Sequence, residues 1–178
     1  EVLQQYEIAK AKLANYAKKW AFIQTAHQLL EKTLLYYRDV KLPNVLSVAS
    51  RYFNMLTDGS YVNILDPQEE QTLVVEHKDG VRYYPKELSQ ATIEQLYLSL
   101  RFAVASIWSK EHAFPFILDD TFVNFDVVRT KQAVKLLNEI ANEGHQILFF
   151  TCHGKIKELI ANDNEDNVFT FNNLSPIC

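Results

Sequence analysis

Three carboxylates stand at and just beyond a short apolar run in Phe116-Ile117-Leu118-Asp119-Asp120-Thr121-Phe122-Val123-Asn124-Phe125-Asp126. A carboxylate at the mouth of a strand can hold a hydrated Mg²⁺ or position a water without being sealed in a low-dielectric interior. Asp119 and Asp120 therefore read as a nucleotide-hydrolysis edge. The plainer alternative is a helix N-cap with first-turn acids; it accounts for Asp126, ahead of a helix starting near Val127, but leaves Asp119 and Asp120 unexplained. A second apolar run, 146–151, leads into Cys152-His153, so a histidine emerges at the same kind of strand terminus. A third stretch, Leu88-Ser89-Gln90-Ala91-Thr92, opens a long helical pattern, with Ser89 a natural N-cap. A helix N-terminus points unpaired N–H groups and the positive end of its dipole outward, which suits phosphate. An ordinary capped helix accounts for the same five residues.

The elements that must carry these residues follow from hydrophobic periodicity. Residues 116–118, unbroken and flanked by Pro115, read as a strand buried on both faces; such strands belong to parallel sheets covered by helices and bind ligands at their carboxyl ends. A helix over 128–142 closed by Gly144, a strand over 146–151, a short helix over 155–161 and a last strand over 168–171 complete a layered α/β unit with right-handed crossovers. Upstream, Pro43 is expected to end a first helix and sit in the first turn of a second, over 44–56, which Asp58-Gly59 stops. Three β-rich runs, 61–65, 72–76 and 81–84, are broken by Asp66-Pro67 and by Asp79-Gly80, a two-residue hairpin signal. They predict a small antiparallel meander.

The amino-terminal stretch has a different grammar. Val2, Tyr6, Ala9, Leu13, Tyr16, Trp20, Ile23, His27, Leu30, Leu34 and Tyr37 alternate steps of four and three. A period of about 3.5 residues marks a helix whose seam faces another helix in a left-handed supercoil. His27 on that seam reads as a tolerated polar residue. The chain begins mid-helix, as a fragment would. We expect a coiled-coil stalk over 1–41 and an α/β head over 42–178.

Bulk properties narrow the classes. The 178 residues are 48% hydrophobic, enough for one domain with a proper core, and the net charge is -4. Residues 1–41 carry seven Lys or Arg against four acids, +3, leaving -7 for the remainder. That is too mild for a general attraction to nucleic acid; Lys10, Lys12, Lys18 and Lys19 read first as a solvated helix face. Cys152 and Cys178 form no CxxC pair, so neither a disulfide framework nor a structural zinc site is suggested and a reducing cytosol is the default. No stretch is apolar enough to span a bilayer, and the start lacks a signal-peptide pattern.

Taken in order, Leu88 to Thr92 before a long helix, the strand ending in Asp119-Asp120, Asn124-Phe125-Asp126 and the strand ending at His153 resemble the signature motif, Walker B strand, D-loop and switch histidine of an ABC-type ATPase head. With the stalk, the chain looks like the carboxyl-terminal half of a head of the SMC branch. Leu88 to Thr92 running into Glu94-Gln95-Leu96-Tyr97-Leu98-Ser99-Leu100-Arg101 is most similar to bacterial YhaN-type proteins, relatives of the SbcC family of DNA repair ATPases.

The resemblance implies an α/β fold: the carboxyl-terminal lobe of an ABC-type head, a parallel-rich sheet with flanking helices and a small meander, on a coiled-coil stalk helix. It also implies site roles. Ser89 and the helix start at Thr92 would contact the γ-phosphate of ATP on an opposite head, with Gln90 and Ala91 between them in the nucleotide-binding set; Asp119 would hold Mg²⁺ through its water shell and Asp120 would polarise the attacking water. Asp126 would communicate across the dimer, and His153 would sense the γ-phosphate. Asp120 stands where the family usually has Glu, and Gln90 and Ala91 stand where glycines are common. The phosphate-cradling G-x-x-x-x-G-K-[ST] is missing, since Gly154-Lys155 is preceded by Phe149 at the first glycine's place and followed by Ile156. In SMC-type proteins that loop lies in the amino-terminal half. The implied partners are thus an amino-terminal lobe of the same polypeptide, a second head, a nuclease subunit and DNA.

Two other readings remain from the residues. One is a metal-dependent phosphatase or nuclease using Asp119, Asp120, Asp126 and His153, although the adjacent aspartates do not form D-x-D. The other is a stalked, non-catalytic interaction module.

Overall fold

The computed structural model describes residues 1–66, 72–109, 114–162, Thr170 and Asn172. Contacts divide the chain into two units, Glu1–Asn44 and Val45–Cys178. In the first, α1 (Val2–Tyr36) is one uninterrupted helix with no buried residue. Its apolar seam lies in water: Val2 is 82% exposed, Trp20 67% and Leu34 69%. Seam residues of this size at a 3.5-residue period need a second helix to cover them. His27 is paired locally, its Nδ1 3.6 Å from the Glu31 carboxylate one turn on.

Pro43 does not end the helical path. Tyr37–Lys41 forms a π-helical turn, with the Leu42 N–H donating to the Tyr37 carbonyl, and α2 (Leu42–Leu56) follows directly. Proline lacks an N–H and its ring crowds the carbonyl four residues back; the wider π turn makes room for that ring, and a proline near the start of α2 forfeits no essential bond.

In the second unit, α2 buries Leu46, Ala49, Tyr52, Phe53 and Leu56. Specific polar bonds tie it to its neighbours. The Ile64 N–H donates to Ser50 Oγ at 2.8 Å, Gln95 Nε2 donates to the Leu56 carbonyl at 2.6 Å, and Arg51 bridges Glu139 at 2.9 Å and Glu143. The meander is antiparallel in the order β1 (Tyr61–Leu65), β2 (Val74–His77), β3 (Arg82–Tyr83). The β2–β3 turn departs from the two-residue expectation. His77 N–H bonds the Val81 carbonyl, so Lys78, Asp79 and Gly80 form the loop, with Gly80 at φ 80°. A two-residue type I′ turn needs positive φ at both central residues, and Asp79 does not adopt it, so glycine supplies the left-handed step one residue later.

The second sheet pairs β4 (Phe116–Asp119) with β5 (Ile147–Phe150) in parallel, with Asp119 opposite Phe150. Between them comes α4 (Val127–Asn142), and α5 (Gly154–Asn162) follows β5. One face of the sheet meets the core: Phe116 and Leu118 are 7% exposed, and the Phe116 ring packs edge-on against Phe102 of α3 (Gln90–Ser109), centroids 5.8 Å apart. The other face is bare, with Ile117 66% exposed and Leu148 and Phe150 around 40%. The expectation of burial on both faces is therefore corrected. The apolar run is that of a two-sided strand, but the described residues supply a layer for one side only. Of the last strand expected over 168–171 only Thr170 is among the described residues, and Pro67 and Cys178 lie outside them. No helix among the described residues is long and apolar enough to cross a membrane.

Candidate functional site

The carboxyl ends of β4 and β5 share one edge, and the chain turns sharply there. Asp120 adopts φ 43°, left-handed for a residue other than glycine. Aspartate tolerates that region better than longer side chains, because its short carboxylate can bond locally. Its backbone N–H still donates to the Phe150 carbonyl at 2.9 Å, so the sheet runs one step beyond β4 before the turn. The side chain reaches the end of the neighbouring strand. Oδ1 accepts from the Cys152 N–H at 3.3 Å, and Oδ2 lies 3.5 Å from Cys152 Sγ. The Thr151 hydroxyl first, then the Cys152 thiol and N–H and the charge of His153, hold the Asp120 carboxyl below the ordinary carboxylate range. The same contact pushes the Cys152 thiol upward, through its hydrogen bond to Asp120 and the negative charge there. His153 is exposed; its N–H donates to Thr151 Oγ1 at 3.1 Å, and its carbonyl accepts from Ile156 in the first turn of α5. Asp119, exposed at the tip of β4, presents oxygen donors to solvent, a donor type that suits Mg²⁺ held through its waters.

This geometry gives a signed pH expectation. A carboxyl with a depressed folded-state pKa contributes stability that is present above its unfolded value, near 3.8, and lost as pH falls through the folded value. The Asp120 carboxylate thus stays ionised throughout the neutral range and well into acid. Thr151→Val removes the largest of these supports, and an NMR titration of the Asp120 carboxyl should then show its midpoint moved upward. An unchanged midpoint would mean that the hydroxyl does not hold the carboxylate.

A tight turn follows, in which the Val123 N–H donates to the Asp120 carbonyl and Phe125 N–H to Phe122. Phe122, 1% exposed, stacks on Phe149 of β5 at 5.3 Å and on Phe125 at 5.5 Å. That aromatic peg sets the path to Asp126, which caps α4: Oδ1 accepts from the Arg129 N–H and Oδ2 from Arg129 Nη1, each at 2.8 Å. Asp126→Ala should cost about 1–2 kcal/mol, a lost N-cap plus a half-exposed ion pair, measured by chemical denaturation. Asp126→Asn keeps the cap oxygen and should cost well under half of that.

The other predicted group sits at the start of α3. Ser89 is its N-cap, with the Thr92 N–H donating to Ser89 Oγ at 3.3 Å and the two hydroxyls 2.8 Å apart. Gln90 is exposed and donates to Glu94 at 3.2 Å, Ala91 is half-buried, and Thr92 is buried. Thr92 and Asp126 line one cleft of about 230 Å³, with Arg129, Gln132, Asp58 and Tyr61. The predicted residues therefore gather in two groups. Asp120 and His153 meet at the sheet edge beside Asp119; Thr92 and Asp126 meet in the cleft. Thr151, Cys152, Phe122 and Arg129 were not singled out by sequence reasoning. Thr151 and Cys152 flank a histidine that was, and Arg129 stands at N3 behind a capping aspartate, so position relative to a recognised residue was the usable signal.

No protein-family model matches the chain. Over 154 residues it is 41% identical to the uncharacterized protein YhaN of Bacillus subtilis, a match covering 86% of this chain and 16% of YhaN. In fold it is similar to a structure from work on ATP-driven dimerization and DNA-stimulated activation of SMC ATPases, TM-score 0.54 at 17% identity over 70% of this chain and 76% of that one. The Smc head domain of Pyrococcus furiosus with an extended coiled coil, bound to the C-terminal domain of ScpA, gives TM-score 0.54 at 16% identity, covering 83% of this chain and 36% of that one. The chain resembles YhaN and has the SMC-head fold. The SMC head domain from Thermotoga maritima matches at TM-score 0.51 and 18% identity, over 65% of this chain and 40% of that one. The resemblance drawn from the ordered motifs thus holds in sequence, towards YhaN, and in fold, towards SMC heads. The chain spans about a sixth of YhaN's length.

Proposed function

We propose that this chain is the carboxyl-terminal half of an SMC-like ATPase head, which dimerises on ATP and couples hydrolysis to DNA end processing or repair. The observation that carries the reading is the sheet edge where Asp120, turned by its left-handed backbone, meets His153 beside Asp119. Asp119 would hold Mg²⁺ through water, and the ion, when bound, neutralises charge developing on the transferred phosphoryl group. Asp120 polarises the attacking water, which its low proton affinity allows at neutral pH. His153 senses the γ-phosphate. The α3 N-terminus, with Ser89, Gln90, Ala91 and Thr92, faces the nucleotide of the opposite head, and Asp126 beside Thr92 relays its state across the dimer.

The division into two groups of residues supports this reading, because a site shared between two heads needs one group on each side of the interface. The bare sheet face around Ile117 and Leu148 supports it too, as the seat of an amino-terminal lobe bearing the phosphate loop. Residues 1–41 are the stalk and 42–178 the lobe; a nuclease subunit and DNA are the partners, and the cytoplasm is the setting. Without the amino-terminal lobe the chain is inactive.

Joining the chain to that lobe tests the proposal. Sedimentation should show monomers without nucleotide and dimers with ATP and Mg²⁺, and phosphate release should require both lobes. Release by the chain alone, or a joined protein whose oligomeric state ignores ATP, would overturn it.

A further inference from the structure

We propose that Asp120, Cys152 and His153 form a binding site for a thiophilic divalent cation of the Zn²⁺ type. One carboxylate oxygen, the Cys152 Sγ and one imidazole nitrogen all lie within 4.8 Å of one another. They come from two strand ends held together by the sheet, and the Asp120 turn, with its bond from the Cys152 N–H, keeps carboxylate and thiol side by side. Cys152 is exposed and reduced, so an ion can reach it.

The spacing suits the chemistry. Zn–S near 2.3 Å and Zn–O near 2.1 Å at a tetrahedral angle require sulfur and oxygen about 3.6 Å apart. Asp120 Oδ2 and Cys152 Sγ already stand 3.5 Å apart. The imidazole must close in by a side-chain rotation, which an exposed His153 can make. Sulfur, nitrogen and oxygen together favour Zn²⁺ or Co²⁺ over Mg²⁺, which wants an all-oxygen shell. On binding, the Cys152 thiol loses its proton to solvent and a metal–sulfur bond replaces its contact with Asp120. Three protein ligands leave a fourth position for water.

A consequence for turnover rests on the proposed role of Asp120. An ion that captures this carboxylate withdraws it from the attacking water, so Zn²⁺ would inhibit hydrolysis while Asp119 remains available to Mg²⁺.

Co²⁺ titration tests the site without ATP, using the chain with Cys178→Ser so that Cys152 is the only thiol. The expected result is a thiolate-to-cobalt charge-transfer band with tetrahedral d–d absorption, saturating at one ion per chain, displaced by Zn²⁺ and indifferent to Mg²⁺. Cys152→Ser should abolish the band. His153→Ala and Asp120→Asn should each weaken binding on the order of tenfold or more. Absence of the band, or undiminished affinity in both of the latter variants, overturns the proposal. Alkylation of Cys152 in the Cys178→Ser chain, which needs no change at the site, should be slowed by Zn²⁺ and not by Mg²⁺; equal rates overturn it as well. In the two-lobe protein, Zn²⁺ should suppress turnover relative to each variant's own metal-free rate in the presence of Cys152 and not in Cys152→Ser. A cobalt site without such suppression would leave the metal site standing and sink the role given to Asp120.

Discussion

Asp120→Asn, in the chain joined to its amino-terminal lobe, should lower ATP turnover by on the order of a hundredfold or more while leaving ATP-dependent dimerisation intact. The substitution preserves size and the capacity to sit at φ 43°. It removes the negative charge, and it replaces one acceptor oxygen by an NH₂ group. Three donors, the Thr151 hydroxyl and the Cys152 thiol and N–H, already converge on the carboxylate. The asparagine oxygen cannot satisfy all of them while its NH₂ faces another donor or the water, so the group can no longer attract a proton from that water. In the proposed head dimer, ATP-dependent association draws instead on the α3 N-terminus and Asp126, which this change does not touch. Unchanged turnover would remove Asp120 from the mechanism. Asp120→Glu sharpens the point: although glutamate is usual at this position in the resembled family, it is a poor occupant of a left-handed turn, and its added methylene displaces the carboxylate from Thr151 and Cys152. Misplacement by about 1 Å can cost roughly a hundredfold, so the glutamate variant should not exceed the parent rate.

Much of the fold was legible because punctuation residues are chemically explicit. Ser89 and Asp126 each offer a side-chain oxygen three residues ahead of an N–H, so the starts of α3 and α4 fall where an N-cap would put them. The alternation of steps in α1 gave a seam, and the seam lies in water awaiting a partner helix. The failures have a common cause: each turned on a quantity that residue type only biases. At Pro43 the widening of one turn decided between a break and continuity. At Asp79-Gly80 the sign of one φ decided the loop length. At the site, two apolar runs ending in acids and in a histidine implied a shared edge, and Asp120 and His153 do meet there. That Asp120 turns its side chain onto the next strand's end depends on the same kind of backbone sign, which no spacing rule shows. Cys152 was set aside for want of a second cysteine at CxxC spacing, although its neighbours in space, a carboxylate and an imidazole, come partly from another strand. The bare face of the sheet could not be foreseen either, because an apolar run records every layer a strand is meant to meet, whichever chain segment provides it.

Phe122→Ala should be the most damaging single change near the site, costing about 3–5 kcal/mol as read from the urea midpoint and slope. Phe122 is 1% exposed and stacks with near-parallel rings on Phe149, at 22°, and on Phe125, at 27°. Truncation removes the apolar burial of a whole ring, opens a cavity between β5 and the turn, and leaves both neighbours without their stacking partner, each pair being worth about 0.5–1.5 kcal/mol beyond area. The effect is also directional. Phe122 lies between Asp120 and Asp126, so its ring is the only fully buried side chain in that seven-residue link. Without it the carboxylate at the sheet edge and the cap of α4 lose their common anchor, and the joined protein should weaken in ATP-dependent dimerisation under conditions where it is still folded. Phe122→Leu keeps most of the volume and should cost less than half as much, with dimerisation largely retained. A loss below about 1 kcal/mol for the alanine variant would mean that the turn is held by its backbone bonds, Val123 to Asp120 and Phe125 to Phe122, rather than by the aromatic peg.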